Sequence, residues 1–145
     1  MKNLYLTMSR KILITGLALL MTAAVFTGCK NHEKDVTLKT TEFLKAYFNA
    51  DYDSAGQFCT DSLKMELARM LESYDSLDPS IKEMVKKQAQ NVTTEVISVV
   101  KSEQKDTILV KYKVVLPSFP SGVDNTLSFV KQNKEWKVAE LGNKI

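Results

Sequence analysis

The sequence is short of the side chains on which most site chemistry is built. It has one His, two Cys, one Trp, three Pro and five Gly in 145 residues. With one His and no free Cys pair, the ligand count of a zinc or haem site is not met, so no metal is expected. Five scattered glycines form no Gly-rich phosphate loop, and no cofactor is expected. The two Cys, Cys29 and Cys59, make no disulfide framework. Arginine is scarce too: beyond residue 28 the only one is Arg69.

What the chain does have begins with Arg10-Lys11, an apolar run from Ile12 to Phe26, and then Thr27-Gly28-Cys29. A basic start, a short apolar middle and small residues before a cut define a secretory signal peptide. The run is shorter than the ~20 apolar residues of a spanning helix and gives way to Lys30, Asn31, His32 and Glu33. Phe26-Thr27-Gly28-Cys29 resembles the bacterial lipobox, with Phe26 where Leu is usual. That resemblance implies cleavage before Cys29 and a lipid thioether on its sulfur. The expected organisation is a leader over 1–28, a lipidated Cys29 with a polar tether to residue 35, and one domain over 36–145. Met8 followed by Ser9-Arg10-Lys11 offers a second start with the same mature product.

Removing the leader changes the charge balance. Lys2, Arg10 and Lys11 leave with it and no acid does, so twenty basic residues fall to 17, equal to the 17 acidic ones. Both signs are interspersed, and nucleic acid is not an expected partner. The expected location is the cell envelope, the outer membrane ahead of the inner, with the side of the membrane left open.

Helical spacing runs first. Val36, Thr40, Phe43, Leu44, Tyr47 and Phe48 share one face of a helix over about 36–50. Asp51 can cap a short helix carrying Tyr52, Ala55 and Phe58. Leu63, Leu67, Met70, Leu71 and Tyr74 mark a third helix after Thr60-Asp61. Asp78-Pro79 starts a fourth, with a narrow stripe of Ile81, Met84, Val85 and Ala89. The period then changes to two. Strands are expected over 92–101, 107–116, 125–132 and 135–141, with turns at Lys105-Asp106 and Asn133-Lys134 and a loop over 117–122. Helices covering one face of a four-stranded antiparallel sheet make an α+β fold.

The helix entering Asn49-Ala50-Asp51-Tyr52-Asp53-Ser54-Ala55, and the closing Asn133-Lys134-Glu135-Trp136-Lys137-Val138, are similar to matching parts of the nuclear transport factor 2-like superfamily. With the lipobox, the chain resembles small bacterial lipoproteins carrying this cone-shaped domain. The resemblance implies a curved sheet wrapped by helices, a pocket at the wide end, and pairing through the sheet as a homodimer or with an envelope protein.

Enzymes of that superfamily place acids and bases inside the cone, and here no Asp or Glu besides Glu140 falls on an expected apolar face. His32 lies in the tether, Arg69 between Leu67 and Met70, and Glu140 alone shares a face with Trp136 and Val138. Tyr47, Phe48, Tyr112, Phe129 and Trp136 lie on core-facing stripes and are the candidate lining of a cavity for a small apolar ligand; taken singly, each is core filling. Cys59 beside Phe58 reads as a small buried hydrophobe. Ser54, Ser62, Ser76 and Thr107 follow Asp and resemble O-glycosylation acceptors, although Asp-Ser pairs are also ordinary caps. The leading expectation is a lipid-anchored, non-enzymatic module that binds a small ligand or a protein. Behind it stand a pocket enzyme of the isomerase or cyclase kind and an assembly subunit that pairs through the sheet face.

Overall fold

The computed structural model describes residues 28–142, so the expected leader falls outside the described residues save Gly28. The chain divides into two compact units, Met1–Glu33 and Lys34–Ile145, and the second contains the whole core described below. Four helices come first: α1 (Gly28–Phe48), α2 (Tyr52–Gly56), α3 (Asp61–Asp75) and α4 (Pro79–Ala89). Four strands follow: β1 (Thr93–Lys101), β2 (Thr107–Leu116), β3 (Phe119–Gln132) and β4 (Glu135–Leu141), in the spatial order β1-β2-β3-β4 and antiparallel throughout. This is the expected α+β architecture, with helices on one face of a four-stranded antiparallel sheet.

Local chemistry sets most boundaries. On α1 Val36, Phe43 and Leu44 are buried, and the buried Thr40 hydroxyl donates to the Val36 carbonyl at 2.8 Å, leaving no orphan polar atom. The helix begins at Gly28, so residues 30–35, expected as a tether, are helical. It ends in a Schellman arrangement: Asp51 N–H bonds Ala46 O, Ala50 N–H bonds Tyr47 O, and Ala50 takes φ 58° where Gly is usual. Asp51, Thr60 and Asp78 accept backbone N–H bonds as N-caps of α2, α3 and α4. On α4 only Ala89 is fully buried, and Ile81 and Met84 remain exposed, so the narrow stripe expected there packs weakly.

Ile108, Val110, Tyr112 and Val114 point from β2 into the core against Phe129 and Leu127 of β3. Asn133 and Lys134 both have positive φ, the type I′ geometry that matches strand twist in a two-residue hairpin. Two expectations fail. The segment 117–122, expected as a loop, is a tight turn at Pro117-Ser118 followed by the start of β3 at Phe119, because a bulge near Leu116 lets Phe119 pair across it. Glu140 does not share the face of Trp136 and Val138. Phe129 pairs with Val138 while the adjacent Ser128 pairs with Glu140, so Ala139 is an extra residue that turns Glu140 outward and Leu141 inward opposite the buried Leu127.

The outer edge of β4 is covered by the chain itself. Thr60 N–H bonds Val138 O and Val138 N–H bonds Phe58 O, both at 2.9 Å, so Phe58–Thr60 lies parallel to β4. This capping of an edge removes a pairing hazard. It also brings the α2–α3 junction beside the β3–β4 turn.

Candidate functional site

That juxtaposition builds a groove. A cleft of about 280 Å³ is lined by Gly56, Gln57, Cys59, Asp61 and Lys64 from the helical side. Gln132, Asn133, Glu135 and Lys137 line it from the β3–β4 hairpin. A second cleft of about 610 Å³ lies between the end of α1 and α2, with Ala46 and Phe58 among its lining and Glu42, Lys45 and Asp51 at its walls. Gln57 contributes to the lining of both clefts at this helical corner.

Several charges in the groove are already compensated. Lys137 Nζ lies 3.2 Å from Glu135 and donates to Gln57 O at 3.1 Å. Asp61 accepts from the Gln132 amide at 3.3 Å. Lys64 forms no ion pair with the described residues, and its stem lies over Gly56: a Cβ there would meet Lys64 Cγ at 3.3 Å. Cys59 is buried, its thiol donates to Ala55 O at 3.3 Å, and burial pushes its pKa up to about 12. A thiol held neutral in this way is a packing group and a poor nucleophile.

The five aromatics expected to line a cavity lie elsewhere. Tyr112, Phe129 and Trp136 are buried in the core on neighbouring strands, and Tyr47 and Phe48 are half-buried against it. Tyr47 stacks on Phe43 at 5.7 Å and meets Phe48 and Tyr52 edge-on at 5.4 and 5.8 Å. Burial, with Tyr47 nearby, lifts the Tyr112 phenol to about 12, and burial raises Tyr47 and Tyr52 as well. The structure thus brings Tyr47 and Tyr112 together, but none of the five lines either cleft of the groove.

Thr40 and Thr107 are buried, and among the described residues no group of acids, His and Cys could hold a metal. No helix among the described residues is long and apolar enough to cross a membrane. His32, Arg69 and Glu140 are exposed. Ser54, Ser62 and Ser76 are exposed as well, whereas Thr107 is buried with its hydroxyl donating to Lys105 O, which removes it as an acceptor of a bulky sugar. Sequence reasoning passed over Gln57, Lys64, Gln132 and Asn133. They are ordinary surface residues until the Phe58–Thr60 bridge gathers them.

The fold and groove define a small α+β domain with a filled core and a surface cleft at one corner. The family described as low molecular weight antigen MTB12, C-terminal domain, matches residues 64–140, from the first turn of α3 into β4. The chain belongs to this family. Among solved structures, it is similar to a Campylobacter jejuni protein provisionally designated an NTF2-like transpeptidase, at 10% identity and a TM-score of 0.42. That likeness covers 70% of this chain and 94% of the other. It is also similar to a Streptomyces avermitilis protein of the NTF2-like family, provisionally designated a dehydratase, at 15% identity and a TM-score of 0.40 over 73% and 90% of the two chains. Comparison with curated proteins gave no match.

Proposed function

We propose that the chain is a lipid-anchored protein of the cell envelope, held at the outer membrane through Cys29, whose domain binds a ligand or partner without catalysing a reaction. The groove at Gln57 is its binding surface. The observation that carries this reading is the contrast between interior and corner. Tyr112 and Cys59, the buried titratable groups, stay neutral far above neutral pH, while Lys64 lines one open cleft and Glu42 and Lys45 line the other. General acid–base chemistry at neutral pH needs a group poised near 7, and recognition needs only placed charges and amides. Several acyl chains hold a protein at a membrane far more firmly than one, so a diacylglycerol on Cys29 would suffice as anchor.

The test has two arms. Cys29→Ser should leave an unprocessed precursor that extracts without lipid; normal processing and membrane recovery would refute the anchor. Native mass spectrometry of the domain released from its own envelope should show a retained ligand or partner, and its loss in a Gln57→Trp variant places it in the groove.

A second reading, assembly through the sheet, is favoured by the outer face. Ile97, Val100 and Leu109 are exposed there, Val100 directly opposite Leu109. In that reading the occupant is a second copy of the chain. Sedimentation should then show a dimer that Val100→Glu breaks.

A further inference from the structure

We infer that Ser76, in the turn between α3 and α4, is a modification site whose hydroxyl carries an O-linked glycan on the mature protein. The inference rests on the reading of the chain as an envelope protein and is independent of the groove. Four times an Asp is followed by a hydroxyl residue and then an apolar one: Asp53-Ser54-Ala55, Asp61-Ser62-Leu63, Asp75-Ser76-Leu77 and Asp106-Thr107-Ile108. Capping does not account for them, because the N-caps of α2, α3 and α4 are Asp51, Thr60 and Asp78. A transferase that reads such a triplet must touch all three side chains, and burial sorts the four. Ala55 is fully buried, and Leu63 and Ile108 are each 4% exposed, so in three triplets the apolar residue is committed to the core. Thr107 is itself buried. Leu77 is 38% exposed, and residues 75–81 form an unbroken exposed run. Only the triplet at Ser76 offers acid, hydroxyl and apolar group together at the surface, where a bulky, hydrated sugar must sit.

The turn also presents the triplet in one backbone conformation. Ser76 N–H bonds Glu72 O and Leu77 N–H bonds Tyr74 O, both at 3.1 Å, and Lys82 donates to Asp75 O at 2.6 Å. An acceptor already ordered in this way loses less freedom on entering a transferase. The Asp75 side chain stays outward, 66% exposed, with its carboxylate 3.8 Å from Lys82. The Ser76 hydroxyl donates to Ser73 O at 2.7 Å, and both residues are exposed, so water replaces that bond once the hydroxyl is substituted. In the transfer the Ser76 oxygen attacks the anomeric carbon of a polyprenyl-diphosphate oligosaccharide. The new carbon–oxygen bond replaces the one to the diphosphate, which departs with its electron pair. The hydroxyl proton passes to a base of the transferase, and nothing is oxidised or reduced.

The experiment uses the full chain expressed in its own host, recovered from the envelope and read by intact-mass and peptide mass spectrometry. The peptide that contains Ser76 should carry a mass increment of whole sugar residues. That increment should vanish in Ser76→Ala and in Leu77→Lys and persist in Ser76→Thr and Leu77→Val. Ser54→Ala and Ser62→Ala should leave it unchanged. All six variants should melt with the unsubstituted chain in circular dichroism, because the four positions are exposed. A glycan on Ser54 or Ser62 in place of Ser76, or an increment kept in Leu77→Lys, would overturn the inference. An unmodified Ser76 on a chain whose Cys29 carries lipid refutes the inference alone. An unmodified Ser76 on a chain that keeps its leader refutes the envelope reading with it.

Discussion

Truncating Trp136 probes how far the core extends along β4. The indole is 8% exposed on the inward face of the strand, two residues from the fully buried Val138 and within the same core cluster. Removing a large buried aromatic costs roughly 3–5 kcal/mol through lost burial and the cavity left behind. Lys131 Nζ lies 5.8 Å from the ring centre, and losing that contact adds about 0.5 kcal/mol at a solvent-facing site. A loss of about 4 kcal/mol is a large part of the ~5–15 kcal/mol that holds such a domain folded. In a unit of this size it corresponds to a fall in Tm of roughly 15 °C. Trp136 is the only tryptophan, so its fluorescence cannot be followed in the variant. Circular dichroism against urea serves both proteins and should give a lower midpoint with an unchanged slope. A shift under 1 kcal/mol would mean that the indole contributes little to the core and that the inward register of β4 is wrong.

Two other outcomes follow from the same packing. Glu140→Ala should change stability by less than about 0.5 kcal/mol, since the bulge places that carboxylate outside; a loss above 2 kcal/mol in urea titration would return Glu140 to the core. Stability should also fall in alkali. Tyr112 and Cys59 have folded pKa values raised to about 12 from ordinary values of 10.0 and 9.0. The folded state therefore holds their protons longer than the unfolded one. Their contribution is complete below pH 9 and is lost as pH climbs toward 12. The urea midpoint should drop as pH rises from 9 toward 12, and Tyr112→Phe should flatten part of that slope; a flat wild-type profile contradicts the assignment.

The starts of α3 and α4 and the alternation of β2 were legible because single residues specify them. Thr60 and Asp78-Pro79 announce α3 and α4 through capping chemistry, and the alternation from Ile108 to Leu116 marks a half-buried strand. Faces were legible only where the ladder is regular. The inserted Ala139 reverses Glu140 and Leu141, and a bulge leaves no mark in a pattern of period two. The early start of β3 was hidden because Phe119-Pro120-Ser121-Gly122 has the composition of a loop, although Gly122 is needed there for a φ of 75° against Lys113. The candidate site was not legible. Gln57 and Lys64 lie some seventy residues from Gln132 and Asn133, and only the Phe58–Thr60 pairing with Val138 brings them to one cleft. Aromatic stripes pointed inward, to a core that Tyr112, Phe129 and Trp136 occupy themselves.

The most direct measurement is an amide chemical-shift map of the ¹⁵N-labelled mature chain, carrying Cys29→Ser, titrated with the ligand or partner that native mass spectrometry finds retained. Recognition at the helical corner predicts saturable shifts centred on Gln57, Lys64, Gln132 and Asn133, with the interior strands unmoved. Shifts centred instead on Tyr47, Tyr112 and Phe129 would show that ligands enter between helices and sheet, and would contradict the account.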